Sequence, residues 1–290
     1  VSDKHSATVL VTGATDGLGR GTAIYLAKRG YRVFAAGRNA QKRASLETEA
    51  KKENLALETL EMDVTDDASV DQAVAEIEKR AGPVEILVNN AGIAIVAAME
   101  EISQSDLHKQ FETNFFGLVR VTQRVLPAMR ESRRGRIINL SSVAGKMASP
   151  LFGPYAGSKH AVEGISDAMR VELVPFGVQV ILIEPGYIPS NMEASALELS
   201  SSYVAKAPAS PYAKVYEGFQ RSWGRISSDK SYTPEDCARV ILRAIQDRRP
   251  KVRYPVTKSA YVIRWMKRLL SDRTIDRIFI HDYGLQPPGN

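Results

Sequence analysis

TVLVTGATDGLGRGTAIYLAKRG, residues 8–30, is the stretch whose reading decides the fold. Its first five residues form a short β-branched, apolar run of the kind that makes a buried strand. The run passes directly into Gly13, Gly17 and Gly19, after which apolar residues recur at helical spacing as far as Gly30. Glycines at such a junction permit a tight turn and let a phosphate approach backbone N–H groups at the positive end of a helix. The plainer alternative is a glycine-rich turn that holds nothing. A strand before it and a helix after it favour a dinucleotide site. The spacing is G-x-x-x-G-x-G, not the G-x-G-x-x-G of the usual dinucleotide fingerprint.

Outward from this unit the pattern repeats. A second strand at residues 32–36 (RVFAA) ends in Gly37-Arg38-Asn39. A ribose with a free 2′-hydroxyl is usually gripped by an acid near this strand end, and none is present, whereas Arg38 suits a 2′-phosphate. NADP is therefore expected over NAD, with Asp16 a discordant negative charge nearby. A third strand at 57–64 (LETLEMDV) carries Asp63 to accept from an adenine amino group and Val64 to pack on the ring. Asp66 is better placed than Asp63 to cap the next helix. A fourth at 84–88 (VEILV) leads into Asn89-Asn90-Ala91-Gly92, small and amide residues that suit either close approach to a ribose or a simple turn.

A helical pattern at 103–130 contains Asn114, an unfavourable helix former that would hold a water, open the helix locally or cap a buried carbonyl. Strands at 136–140 (RIINL) and 178–183 (VQVILI) follow, the latter closing on Glu184-Pro185-Gly186. Six strand–helix alternations imply an α/β fold with a doubly wound parallel sheet of the Rossmann type, in one domain. Ligands in such sheets sit beyond the carboxyl ends of the strands, where every residue so far singled out lies.

The stretch 141–159, SSVAGKMASPLFGPYAGSK, sets Ser142 thirteen positions before Tyr155 and Tyr155 four before Lys159. On a helix the last two are neighbours on one face. A free phenol has a pKa of about 10 and is a poor acid or base at neutral pH. A lysine cation beside it is expected to lower that value, and Ser142 can offer its hydroxyl to a carbonyl oxygen. The pair by itself is weak evidence, because Tyr-x-x-x-Lys on a helix surface is worth only a few tenths of a kcal/mol.

Thr12-Gly13-x-x-x-Gly17-x-Gly19, Asp63, Asn89-Asn90-Ala91-Gly92, Asn114, Ser142, Tyr155-x-x-x-Lys159 and Pro185-Gly186, in that order, resemble the short-chain dehydrogenase/reductase family. The resemblance is strong over residues 8–186. It implies Tyr155 as acid–base, Lys159 as its pKa-lowering partner and ribose ligand, Ser142 as carbonyl-orienting donor and Asn114 as holder of a relay water. The cofactor would be met by Gly13, Thr15, Gly17, Leu18, Gly19, Arg38, Asp63, Val64, Asn90, Ala91 and Gly92, with Tyr155 and Lys159. Pro185, Gly186 and Ile188 would line the nicotinamide amide, and Ser190 stands where the family often has threonine. A homodimer or homotetramer is implied, with the helices around Asn114 and after Tyr155 as interface.

Three regions follow from this reading: a cofactor and catalytic core at 7–186, an insertion at 187–233 and a basic extension at 251–290. The insertion carries Met192, Leu197, Tyr203, Tyr212, Tyr216, Phe219 and Trp223 with weak periodicity. It is expected to be a lid over a large apolar pocket, or else a pair of short stabilising helices. In the extension Val262, Trp265, Met266 and Leu269 recur at helical spacing, with Arg264, Lys267 and Arg268 on the other side. Such a stripe is expected to cover the protein's own core or a subunit contact, ahead of lying on an anionic membrane surface.

The 290 residues carry a net charge of +6, and residues 251–290 hold eight Lys/Arg against three Asp/Glu. Charge so concentrated argues against a nucleic-acid binder. The single cysteine, Cys237, excludes an intrachain disulfide and fits a reducing compartment. With no signal-like or membrane-spanning apolar run, a soluble, cytoplasmic protein is expected, with no metal site. The expected function is NADP-dependent interconversion of an alcohol and a ketone or aldehyde on a bulky, mainly apolar substrate. A 3-oxoacyl thioester reductase is the alternative among enzymes, and a catalytically silent NADP-binding regulator the alternative outside them.

Overall fold

Alternate residues of a strand point to opposite faces, so a strand covered on both sides must be apolar throughout. The chain's short apolar runs meet that requirement. In the computed structural model, which describes residues 7–286, β1 (Thr8–Val11), β2 (Arg32–Gly37), β3 (Leu57–Glu61), β4 (Ile86–Asn89), β5 (Gly135–Leu140), β6 (Val178–Glu184) and β7 (Arg253–Pro255) form one sheet. The order is β3-β2-β1-β4-β5-β6-β7, and every neighbouring pair is parallel.

Val9, Val11, Val33, Ala35, Val88, Ile138 and Ile181 face one side, packed against α1 (Gly17–Ala27), α2 (Ala40–Lys52) and α10 (Pro234–Gln246). Leu10, Phe34, Leu87, Ile137 and Val180 face the other, packed against α3 (Asp67–Ala81) and α5 (Gly117–Glu131). On that same side Leu182 meets Val162 of α6 (Gly153–Glu172). Short polar residues start the helices. Asn39 accepts from the Lys42 N–H at 2.9 Å, and Asp66 from the Ser69 N–H at 2.7 Å, the cap expected of it.

The helical pattern at 103–130 is not one continuous α-helix. α4 (Gln104–Phe111) passes through a widened π turn at Glu112–Phe116 before α5, and Asn114 lies inside that turn. The third strand ends at Glu61, so Asp63 and Val64 sit in the loop beyond it.

Residues 187–233 are mostly helical: α7 (Met192–Leu199), α8 (Ser201–Lys206) and α9 (Ala213–Ser227), with a single 3₁₀ turn at Ala207–Ala209. After α10 and β7 come α11 (Lys258–Leu269) and α12 (Asp272–Tyr283). The apolar stripe of α11 does not cover the protein's own core: Ala260 is its one buried residue, and Val262, Trp265 and Leu269 are exposed. No helix among the described residues is long and apolar enough to cross a membrane. Cys237 is buried in the core, and burial pushes its thiol up to about 12, so it packs as a small apolar residue.

Candidate active site

The strand order reverses between β1 and β4, and the crevice at their carboxyl ends is where ligands settle in such sheets. Asn90 spans it. Its amide nitrogen donates to the carbonyls of Thr12 at 2.9 Å and Gly13 at 3.1 Å. The N–H groups of Asn90 and Ala91 donate to the Thr12 hydroxyl at 3.0 and 3.1 Å. The amide nitrogen is thus occupied in joining two strands. Gly13 has φ +61°, and a side chain there would press on the Ala91 backbone at 2.8 Å. A Cβ on Gly19 would collide with the Asn90 amide and the Gly13 carbonyl. Gly17, Leu18 and Gly19 open α1, where first-turn amides have no intrahelical acceptor.

Beyond β2, Thr15 packs against Gly37 and Arg38 stands 63% exposed with its Nη1 3.3 Å from Asp63 Oδ2. Asp63 also accepts from the N–H and hydroxyl of Thr65 at 2.9 and 2.7 Å. Burial raises the Asp63 carboxyl, but Thr65 and Arg38 outweigh it and the net shift is downward. Val64 is buried. Two cations absent from the sequence reading complete this corner. Lys42 pairs with Asp16, which resolves that residue's discordant charge. Arg43 donates to the carbonyls of Gly37 and Arg38 at 2.9 and 2.7 Å and pairs with Glu61. Both lie in the first turn of the helix after Asn39, a position that charge patterning alone does not distinguish from a solvated face.

Ser142, Tyr155 and Lys159 come together at the end of β5. Ser142 caps a 3₁₀ turn by accepting from the Ala144 N–H at 3.1 Å, and its hydroxyl is near enough to the Tyr155 phenol to act on it. Lys159 Nζ donates to the Leu140 carbonyl at 2.8 Å and lies 5.8 Å from the Tyr155 ring centroid. The expected lowering of the phenol is not what this environment produces. Burial raises Tyr155, with Ser142 working against it, and pushes Lys159 down to about 8, with Glu163 working against that. The physical reason is that the ammonium is tethered to the strand end and not to the phenol oxygen, while both groups are shut away from water. Glu163, one turn beyond Lys159, is itself buried and paired with Lys146 at 2.5 Å and Arg253 at 2.9 Å.

Asn114 closes its carboxamide on the protein. It accepts from the Ile93 N–H at 2.8 Å and donates to the Ile93 carbonyl and the Ser158 hydroxyl, each at 3.0 Å. Ser158 in turn donates to the Tyr155 carbonyl at 2.7 Å. Both the local opening of the helix and the capping of a buried carbonyl are therefore present. A second buried relay, which sequence reasoning missed, runs beside it. Asn89 donates to Thr122 and Asn139, and Asn139 to Ser166, all at 2.9 Å. Only strand pairing shows that Asn89 and Asn139 are neighbours.

Around Tyr155 the wall is aromatic. Phe152 meets its ring edge-on at 5.4 Å and stacks on Phe219 and Trp223 of α9 at 5.6 and 5.8 Å. Trp223 continues to Tyr187 at 5.5 Å. Leu151, just before Phe152, holds φ +66°, a conformation that costs a branched residue on the order of 1 kcal/mol, and it is kept there by packing on Val96 and Tyr216. The Pro185 carbonyl accepts from the Val143 N–H at 2.9 Å, which ties the end of β6 to the turn carrying Ser142. Gly186 lies close against Thr257, Ile188 is buried, and Ser190 sits over Gly17. A cleft of about 470 Å³ opens between Tyr187, Ile226, Tyr232, Thr257 and Lys258.

The other tyrosines of residues 187–233 do not line this wall. Tyr203 donates to Asp106 at 2.5 Å, Tyr212 to Glu100 at 2.5 Å and Tyr216 to Glu101 at 2.8 Å. They are anchors. An amphipathic ring reads the same from sequence whether its hydroxyl or its face does the work.

Comparison with known proteins agrees with this geometry. A family model for short chain dehydrogenases matches residues 7–199. The NADPH-dependent 3-dehydrocapnine reductase of Ornithobacterium rhinotracheale is 35% identical over 280 residues, covering 94% of this chain and 96% of that one. Retinol dehydrogenase 8 of Bos taurus is 34% identical over 256 residues, 85% of this chain and 80% of that one. Among solved structures, an actinorhodin polyketide ketoreductase with NADPH superposes with a TM-score of 0.77 at 30% identity, covering 90% of this chain and 99% of that one. The chain belongs to the short-chain dehydrogenase/reductase family. It is an oxidoreductase acting on alcohol and carbonyl groups.

Proposed function

We propose that this enzyme interconverts bulky, mainly apolar ketones or aldehydes with their alcohols, using NADP(H), with Tyr155 as the proton-exchanging group. The observation that carries the substrate class is the unbroken aromatic wall from Tyr155 through Phe152, Phe219 and Trp223 to Tyr187. Apolar area removed from water there contributes about 25 cal/mol per Å². Ser142, close to the phenol, would donate to the same substrate oxygen. Lys159, fixed to the Leu140 carbonyl, supplies a cation beneath the ring. Asn114 fixes the Tyr155 backbone through Ser158. The segment 187–233 acts as the lid.

A dinucleotide phosphate suits the start of α1, where the Leu18 and Gly19 amides have no intrahelical acceptor while the Gly17 N–H is taken by Asp16 at 2.8 Å. When bound, its nicotinamide supplies or accepts the hydride. Arg38 and the absence of an acid at the end of β2 support the 2′-phosphate form, as does the NADPH in the names of two similar proteins. Exposed Phe116 in the π turn with Asn114, Val171 at the end of α6 and Val174 in the short turn after it support those helices as a homo-oligomer contact.

Two observations favour a second reading. The likeness to a polyketide ketoreductase and the cations Arg225 and Lys258 at the cleft fit a 3-oxoacyl thioester substrate. Rates with NADPH and NADH across bulky ketones, short aldehydes and 3-oxoacyl thioesters test both. The proposal expects the highest kcat/KM for bulky apolar ketones with NADPH. A wide, salt-sensitive preference for thioesters would replace it with the second reading.

A further inference from the structure

α11 leaves an apolar stripe bare. Tyr261, Trp265 and Leu269 stand at i, i+4 and i+8, with Val262 beside them, and they are 53, 57, 73 and 56% exposed. A helix that faced the core would bury such a stripe, yet α11 buries only Ala260. The helix carries Lys258, Arg264, Lys267 and Arg268 and no acidic residue, and the Arg268 guanidinium lies 5.9 Å over the Trp265 ring. Lys267 pairs with Asp272, while exposed Arg273 and Arg277 follow on α12.

These facts decide between occupants. A two-fold contact through the stripe with a second copy would set the flanking Lys258 and Arg268 against the same cations of its partner, because such a contact joins one patch to itself. A flat anionic surface meets the charges favourably and takes up the rings as well. Tryptophan and tyrosine prefer the boundary between hydrocarbon and headgroup, and basic amphipathic helices lie there. We infer that α11 is a peripheral docking helix for an anionic lipid bilayer, with Tyr261, Val262, Trp265 and Leu269 entering the headgroup boundary and the neighbouring Lys and Arg meeting lipid phosphates. The inference is independent of the substrate class. It does place the bilayer next to the cleft, since Lys258 at the start of α11 and Ile226 of α9 both line it. α12 also joins α11 to α9, through Arg225 with Asp282 and Arg221 with the Tyr283 carbonyl.

The test is co-sedimentation of the full chain with vesicles of phosphatidylcholine alone and of phosphatidylcholine with phosphatidylglycerol, at low and high salt. Binding is expected to the mixed vesicles only and to weaken with salt. Removing one cation by Arg268→Gln should lower the partition coefficient roughly fivefold. Val262→Ser, Trp265→Ser and Leu269→Ser together should lower it by about a factor of ten or more, with the melting temperature unchanged because the sites are exposed. In a Trp223→Phe background the Trp265 emission should shift to the blue on mixed vesicles. Failure to bind, equal binding to neutral vesicles, or undiminished binding by the triple variant would each overturn the inference. So would a parent oligomer that loses mass in the triple variant while neither form sediments with vesicles, which would make the stripe a subunit contact.

Discussion

The carboxyl edge of the sheet and the helical segment at 187–233 anchor their polar groups differently. At the sheet edge, side chains bond to backbone: Asn90 to Thr12 and Gly13, Lys159 to Leu140, Asn114 to Ile93. In the helical segment the side chains reach mainly to carboxylates across a partly wet surface, Asn191 to Asp16 at 2.7 Å, Tyr203 to Asp106, Tyr212 to Glu100 and Tyr216 to Glu101, and they also accept from backbone N–H groups, as Tyr216 does from Ala98. The Leu140 acceptor belongs to β5, and Thr12 and Gly13 directly follow β1, so the bonds of Lys159 and Asn90 sit at the ends of paired strands. Each link of the second set is worth on the order of 1 kcal/mol and breaks separately. Under the proposed function, the chemistry is mounted on the sheet edge and the substrate wall on the segment whose links break separately.

The comparison is broken most decisively at Tyr155. Tyr155→Phe keeps the ring and its contact with Phe152, and turnover should fall by about 10²- to 10⁴-fold with little change in NADPH affinity or melting temperature. Turnover close to that of the parent would remove the phenol from the reaction. Next in size is a pair of glycines, one in each region. Gly19→Ala forces a methyl into the Asn90–Gly13 contact and should cost about 2–3 kcal/mol in a denaturant titration, with loss of NADPH binding. Gly224→Ala on α9 meets nothing within 4 Å and should stabilise by about 0.5–1 kcal/mol.

Arg38→Asp sharpens the account of the cofactor corner. Exchanging a cation for a carboxylate should move the NADPH/NADH ratio of kcat/KM by roughly ten- to a hundredfold towards NADH. An unchanged ratio would shift the assignment to Lys42 and Arg43. In the helical segment, Tyr216→Phe orphans the Ala98 N–H, which donates to its phenol at 3.1 Å, and frees Glu101. It should cost about 1–2 kcal/mol, whereas Tyr212→Phe, at an exposed pair, should cost little.

The smallest effect is one of pH. Burial, together with the Glu193 and Glu101 carboxylates they serve, pushes the phenols of Tyr187 and Tyr216 up to about 12. A phenol raised on folding binds its proton more tightly in the folded chain. Its contribution is therefore fully present below about 10, the value of a free tyrosine, and is lost as pH climbs towards 12. Limited proteolysis between pH 9 and 12 should cut first within 187–233. Simultaneous melting of the sheet would erase the distinction between the two regions.

What the sequence determined by itself was everything carried by local spacing. The inner strand runs were mainly apolar because both faces of the sheet are covered, the glycine turn lay between a strand and a helix, and Ser142, Tyr155 and Lys159 stood at helical and strand-end intervals. Fold class and the gathering of Ser142, Tyr155 and Lys159 were legible for that reason. Tertiary structure decided whatever depends on partners far along the chain. Lys42 answers Asp16, Asn90 joins two strands, Lys159 reaches Leu140 and not the phenol oxygen, and Tyr203 and Tyr216 find acids about a hundred residues away. The stripe on α11 is the clearest instance. Its periodicity is the same whether a core, a second subunit or nothing in the chain lies against it, because periodicity records which side chains share a face and not what that face meets.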